Sequence, residues 1–402
     1  KQTRCRAPAA AANVRGSRQS SHMKRPAAQI SGSAAARGNE AVAWEIGSEL
    51  APLSAPVLLR DRVAQGIGIG SRFELEPQRR DNPSWPEVLP SPRLDFPLVC
   101  RLKSVDAATL EAASLRELGN SASALLETRL RRHGAVLLKG LPISEAQDFS
   151  DFVTGLGWPT VDKHGVSERV QYADKVFGAS DDVPDEFCLA PHNEQAYYGP
   201  DSSPTYPRRI LFCSLTPAKL GGETPIARNR EVLGTVRPAV IERLRAGVIY
   251  EQTMPSGSRQ DPMTQNLGGK QPWQKAFDVE SKLEVEKLVR EQGCFANWGP
   301  ADELYVHRHG AVFVPSSQPE VDGVEELWLN QAHNFYSFTP RYASSFSPIE
   351  DEVLSHLTAE YWRHSVAFTW QKGDVLCIDN EVCTHARTSF KGPRKHCAAF
   401  CM

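Results

Sequence analysis

A sheet-rich α+β fold, with helices outside the sheet and a long insertion between strands, is what this 402-residue sequence predicts. Three observations carry that reading. Late in the chain, SVAFTW, DVLCID and HCAAFC are short, β-compatible and closely spaced. Earlier, AVLLKGL and RRILFCSLTP are apolar runs of strand length, bounded by glycine or proline and accompanied by helical patterns. Gly/Pro turns between such short strands argue against a doubly wound nucleotide fold, and no internal repeat is evident.

Residues 1–40 stand apart, with eight Lys/Arg, one acidic residue (Glu40) and ten alanines. Without them the formal charge would move from -2 to -9, with 38 basic against 47 acidic side chains, so the basic character is local. This arm lacks the compact apolar segment of a secretory signal and reads as an organellar transit peptide, for a plastid or mitochondrion. The alternatives are an unstructured tail with no targeting role, which would leave the protein cytoplasmic, or a nucleic-acid arm. Residues 41–100 are Pro-rich, as in DNPSWPEVLPSPRLDFP, and read as an extension packed on the core.

A catalytic domain is expected over 101–402. AATLEAASLRELGNSASALLETRLRRHG supplies two helical patterns separated by Gly119-Asn120, and GAVLLKGLP then reads as a buried strand. SEAQDFSDFVTGLG follows as a helix with Ser144 and Gln147 in a capping box. RRILFCSLTP is a strand ended by Pro217. REVLGTVRPAVIERLRAG is helical, with Gly247 as its stop. The stretch 252–325 mixes polar turns with one helix, EVEKLVREQG, and forms the insertion.

Composition excludes several classes of function. A formal charge of -2 and 41% hydrophobic content describe a soluble globular chain with no claim on nucleic acid, so a small-molecule substrate is expected. Every strongly apolar run is strand-length, too short to span a bilayer. Nine cysteines without a CxxC pair read as reduced, buried thiols, and the late cluster Cys377, Cys383, Cys397 and Cys401 packs as small hydrophobes. Nothing in these patterns specifies an oligomeric state.

Chemistry concentrates in PHNEQ and CTHARTSF. In an extended segment residues two apart share a side, so His192 and Glu194 can reach one ion while Asn193 points away. His385 follows a strand and a polar loop, a setting that places a third ligand at the rim of a sheet. Two imidazoles and one carboxylate hold one face of Fe(II) and leave positions for a bidentate cosubstrate and oxygen. Arg394, nine residues on, offers a rigid donor fork suited to the terminal carboxylate of 2-oxoglutarate; adjacent Lys395 is the alternative. Thr224, in KLGGETP, can add a hydroxyl, with Gly221 and Gly222 permitting close approach; without cosubstrate it is turn chemistry.

These blocks resemble the TauD/TfdA family, in its clavaminate synthase-like branch. The resemblance runs through HGAVLLKGLPISEAQDF, PHNEQAYY, RRILFCSLTPAKLGGETPIARNREV, ELWLNQAHNF and WQKGDVLCIDNEVCTHARTSFKGPRK, in order, over roughly residues 100–402. It implies a double-stranded β-helix, or jelly roll, with iron on His192, Glu194 and His385 and 2-oxoglutarate on Thr224 and Arg394. It implies a dioxygenase that consumes O2, hydroxylates an unactivated C–H bond of an amino acid or related carboxylate, and releases succinate and CO2. The usual taurine dioxygenase site has Asp where this chain has Glu194. A retained carboxylate favours hydroxylation over halogenation. Sulfonate-directed members carry another arginine at the position of Ala398, which makes taurine a poor substrate here. Desaturation or ring closure could use the same oxidant.

Second-rank residues keep two readings each. Asn330 and Gln331 contact substrate or hydrogen-bond within their loop, and His333 is a scaffold histidine or, as the alternative, an iron ligand. Tyr197 and Tyr198 wall the pocket or pack in the core; Arg387 meets an acidic substrate or braces its loop. His307 and His309 alternate like a metal pair but lack a companion carboxylate block. A zinc-dependent metalloenzyme and a non-catalytic jelly-roll binding protein are the competing functions; hydrolysis would need a water-activating base.

Overall fold

Period-two alternation builds the core. Strands β1 (Trp44–Ile46) and β2 (Leu98–Leu102) precede helix α1 (Leu115–His133), strand β3 (Ala135–Lys139) and helix α2 (Ala146–Leu156). Strands β4 (Gln171–Ala173), β5 (Val176–Gly178), β6 (Leu189–His192), β7 (Arg209–Thr216), β8 (Leu220–Gly221) and β9 (Ile226–Arg228) follow. Helices α3 (Asn229–Leu233) and α4 (Pro238–Leu244) lead into β10 (Val248–Met254), then helices α5 (Trp273–Phe277) and α6 (Lys282–Glu291). Strands β11 (Phe295–Trp298), β12 (Leu304–Gly310), β13 (Phe313–Pro315), β14 (Glu325–Leu327) and β15 (Phe338–Tyr342) come next. Helix α7 (Asp351–His364) precedes β16 (Val375–Asp379), β17 (Cys383–Arg387), β18 (Phe390–Lys391) and β19 (Lys395–Cys401).

The computed structural model describes residues 44–46, 57–58, 85–103, 114–161, 169–180, 183, 185, 188–197, 206–257, 272–316, 324–329 and 338–402. Residues 1–40, Tyr198, Asn330, Gln331 and His333 lie outside them.

Among the described residues an eight-stranded sheet runs β1-β2-β3-β16-β7-β19-β5-β4, and a three-stranded sheet runs β6-β17-β9. In the large sheet only the β2–β3 pairing is parallel. Its alternating residues divide between two cores. Val136, Leu138, Leu211, Cys213, Val375, Cys377, Cys397 and Ala399 meet Leu118, Leu126, Phe149 and Phe152 of α1 and α2. Ala135, Leu137, Ile210, Phe212, Leu376, Ile378, Ala398 and Phe400 face Ile226 and Cys383 of the small sheet. Two facing sheets with helices behind the larger one is the expected jelly-roll core.

Several local expectations change. Helix α1 passes unbroken through Gly119-Asn120. A Cβ on Gly119 would sit 2.1 Å from the Phe152 carbonyl oxygen, and one on Gly155 2.1 Å from that of Arg116, so these glycines let α1 and α2 touch backbone to backbone. Helix α2 is capped through Asp148 rather than Gln147: its carboxylate accepts from the Ser144 amide at 2.8 Å, the Ser144 hydroxyl at 2.7 Å and the Glu145 amide at 3.1 Å. The helical stretch before Gly247 divides into α3 and α4, because Pro238 cannot continue a helix but starts one. SVAFTW is extended with one bridge, Val366 to Ile226, rather than a strand.

The insertion departs furthest from expectation. Instead of turns around one helix, its strands form a four-stranded sheet, β11-β12-β10-β15, with α5 and α6 packed on it through Trp273, Val285 and Val289. Polar residues interrupt the strand pattern here because they pair across the sheet. The Arg308 Nη1 donates to Gln252 at 2.8 Å, and His307 meets Glu251 at 2.9 Å.

Candidate metal centre and anion anchor

Register places two imidazoles side by side. His385, in the middle strand of the small sheet, pairs directly with His192 at the end of β6, and their ring centroids lie 4.4 Å apart. Phe212, from the facing sheet, packs on His385 at 5.1 Å. Backbone carbonyl Ala190 O accepts from His192 Nδ1 at 2.8 Å, a bond that fixes the proton there and leaves Nε2 with a lone pair.

Glu194 arrives by a turn, not by strand alternation. Strand β6 ends at His192, and the backbone then turns through Gln195 at φ 57°. Two asparagines hold that turn. Asn380 accepts from the Glu194 amide at 2.8 Å and donates to the carbonyls of Glu194 at 2.9 Å and Pro207 at 2.8 Å. Asn193 points away from the site as expected, donating to the carbonyls of Asn380 at 2.7 Å and Cys383 at 3.2 Å. The result is convergence. Glu194 Oε2 lies 3.8 Å from His192 Nε2 and 3.7 Å from His385 Nε2, and one ligand atom from each residue falls within 4.8 Å of the others. All three side chains are buried. Two imidazole nitrogens and one carboxylate oxygen form a donor set that would fit Fe(II).

The GGET turn and Arg394 come together on the neighbouring strands. Gly221 and Gly222 adopt φ of 75° and 70°, and a Cβ on Gly221 would stand 2.1 Å from Ser389 O. Gly222 lies against the arginine itself: its Cβ would be 3.1 Å from Arg394 Cδ. Thr388 also hydrogen-bonds Glu223, closing the turn onto the strand that follows His385. Thr224 is buried, and its hydroxyl accepts from Trp370 Nε1 at 3.2 Å. The Arg394 fork donates to Ala179 O at 3.3 Å and to His396 Nδ1 at 2.9 Å. Lys395 turns elsewhere, its ammonium 4.5 Å from the Tyr172 ring centroid. A hydroxyl and a guanidinium donor fork are groups that suit an anionic carboxylate.

Other sequence candidates engage partners of their own. Arg387 is buried and donates to the carbonyls of Ser180 and Val183, both at 3.1 Å, which is loop bracing. Tyr197 packs in a second core, edge-on to Tyr250 at 6.3 Å. Ala398 is buried between the two sheets. His307 and His309 belong to the insertion sheet, bonded to Glu251 and to Ala246 O. Residues that the motifs did not signal include Arg169, whose Nη2 lies 3.4 Å from Glu194 Oε1, together with Asn380, Trp370 and His396. Apart from Arg394 next to His396, their partners are distant in sequence, so no local pattern marks them.

Comparison with known proteins agrees with this geometry. The model of the taurine catabolism dioxygenase TauD, TfdA family matches residues 100–400. The dapdiamide synthesis protein DdaC of Enterobacter agglomerans is 28% identical over 287 residues, 66% of this chain and 81% of that one. A clavaminate synthase-like protein of Arabidopsis thaliana is 28% identical over 295 residues, 69% of this chain and 84% of its own. Among solved structures, PvcB of Pseudomonas aeruginosa superposes with a TM-score of 0.43 at 12% identity, over 78% of this chain and 90% of that chain; likeness at that level adds nothing to the assignment. The family match takes in His192, Glu194 and His385, the GGET turn and Arg394, and on that ground the chain belongs to the TauD/TfdA family of Fe(II)- and 2-oxoglutarate-dependent dioxygenases.

Proposed function

We propose that this protein hydroxylates an unactivated C–H bond of a small carboxylate-bearing molecule, an amino acid or a relative of one. His192, Glu194 and His385 would hold the iron, and Thr224 and Arg394 the distal carboxylate of 2-oxoglutarate. The observation that carries the reading is the approach of two imidazole Nε2 atoms to one Glu194 oxygen, at 3.8 and 3.7 Å. Bound there, iron, 2-oxoglutarate and O2 supply the oxidation, with succinate and CO2 released. The chain's own residues fix the ligands, orient the acid and keep water out. Phe212 against His385 and Trp370 against Thr224 supply apolar walls for that purpose. Two relatives named for dapdiamide synthesis and for clavaminate synthase are consistent with a small-molecule substrate.

Anaerobic titration of the full-length protein tests the site directly. Fe(II) with 2-oxoglutarate should develop a visible metal-to-ligand absorption band, and His192→Ala and His385→Ala should abolish it together with succinate formation. Arg394→Ala should raise the 2-oxoglutarate requirement about 10- to 1000-fold by removing a charged hydrogen bond. Turnover with Zn(II) alone, or normal turnover of either histidine variant with iron replete, would reject the assignment.

A further inference from the structure

Behind the Thr224 and Arg394 pair stands a buried histidine that touches the supports of both. His396 lies on β19, two residues after Arg394, and is 1% exposed. Its Nδ1 is 2.9 Å from Arg394 Nη2, and its Nε2 is 3.1 Å from the buried hydroxyl of Ser214. The ring packs edge-on against Trp370 at 5.0 Å, and that indole hydrogen-bonds Thr224 at 3.2 Å.

Hydrogen-bond polarity along this chain of groups is determined. A guanidinium can only donate, so His396 Nδ1 accepts from Arg394, and a neutral imidazole must then carry its proton on Nε2 and donate to Ser214 Oγ. An indole can likewise only donate, so Thr224 Oγ1 accepts from Trp370 and its own hydroxyl hydrogen is directed to another acceptor. Burial and the neighbouring Arg394 and Arg387 charges hold the His396 pKa well below its ordinary value, which agrees with the neutral form that the geometry requires.

We propose that His396 is the positioning residue of the 2-oxo-acid anchor, fixing the Arg394 fork directly and the Thr224 hydroxyl through Trp370 so that both present donors to one carboxylate. The proposal rests on the assignment of that anchor made above. A leucine at 396 would fill similar space while removing the Nδ1 acceptor of Arg394 Nη2. An asparagine would keep an acceptor close to the place of Nδ1.

Calorimetry on the full-length Fe(II) protein under anaerobic conditions separates the possibilities. Two probes are used: 2-oxoglutarate, and pyruvate, a 2-oxo acid with no second carboxylate. His396→Leu should raise the Kd for 2-oxoglutarate about tenfold while Fe(II) and pyruvate affinities stay within about twofold, and His396→Asn should recover most of the loss. An unchanged 2-oxoglutarate Kd in His396→Leu, or equal weakening of both acids, overturns the proposal. Failure of the unaltered protein to bind 2-oxoglutarate would instead remove the anchor assignment itself. Should His396→Leu not fold, Ser214→Ala removes only the Nε2 partner and should raise the 2-oxoglutarate Kd about threefold, with no change counting against the role given to His396.

Discussion

Glu194 divides its carboxylate between two kinds of partner. Oε2 faces the two histidine nitrogens, while Oε1 faces Arg169, whose guanidinium also lies 5.0 Å from the Phe400 ring centroid. Such an arrangement would leave one oxygen for a metal and hold the other against rotation. Opposing effects act when the arginine is removed: the carboxylate loses an orienting donor, and the site loses a positive charge that repels a cation. Outer hydrogen-bond partners of metal ligands are worth about 10- to 100-fold in metal affinity, and the Arg169 charge is already countered by the Glu194 carboxylate at 3.4 Å, so orientation should win. Arg169→Met is therefore expected to weaken Fe(II) binding by about that factor in an anaerobic titration. Tighter binding would show that repulsion dominates. The candidate ligands could be read in PHNEQ and CTHARTSF, because two histidines and a carboxylate stood within blocks that occur in order with the GGET turn and Arg394. Arg169 was not, since nothing within its own stretch of sequence announces a partner 25 residues away.

Elements show a similar division between local and distant causes. Strands β3, β7, β16 and β19 could be read from AVLLK, RILFCSLT, VLCID and KHCAAFC because burial on both faces leaves continuous apolar runs. Gly119-Asn120 misled because glycine usually punctuates, whereas here it is needed in mid-helix for contact with α2. The two effects of removing that glycine can be compared in magnitude. Gly119→Ala gains up to about 1 kcal/mol of helix propensity. The added carbon would meet Phe152 O at 2.1 Å, an overlap with backbone that no rotamer relieves, so α1 and α2 must separate. Overpacking of this kind costs about 1 to 3 kcal/mol and sometimes more, so the net change should be destabilising. Urea denaturation should show a lower midpoint for Gly119→Ala; an equal or higher midpoint would mean that the helices part easily.

At the scale of the molecule, the large sheet separates two environments, and side-chain alternation assigns residues to them. Phe212 points toward His385 and the candidate iron site, while its neighbour Cys213 points into the opposite core with α1 and α2. Cys100, Cys377, Cys397 and Cys401 share that helix-side core, so five thiols lie across the sheet from the place where oxygen would be activated. The cysteines could be counted from sequence, but their common face depends on pairing between strands as far apart as 100 and 401. All eight cysteines among the described residues are buried and unbridged. Burial pushes the Cys100 thiol up to about 11 and the Cys188 and Cys401 thiols to about 12, and it raises Cys213, Cys377 and Cys383 well above the ordinary range. A thiol must both ionise and meet a reagent to react, and these satisfy neither condition near neutral pH. A disulfide reagent at pH 8 should therefore leave the eight unlabelled in the native protein and modify them only after denaturant is added. Rapid native labelling of Cys213 or Cys397, located by peptide mass, would show that the helices lift from the sheet readily and that the thiols are not shielded from the oxidant.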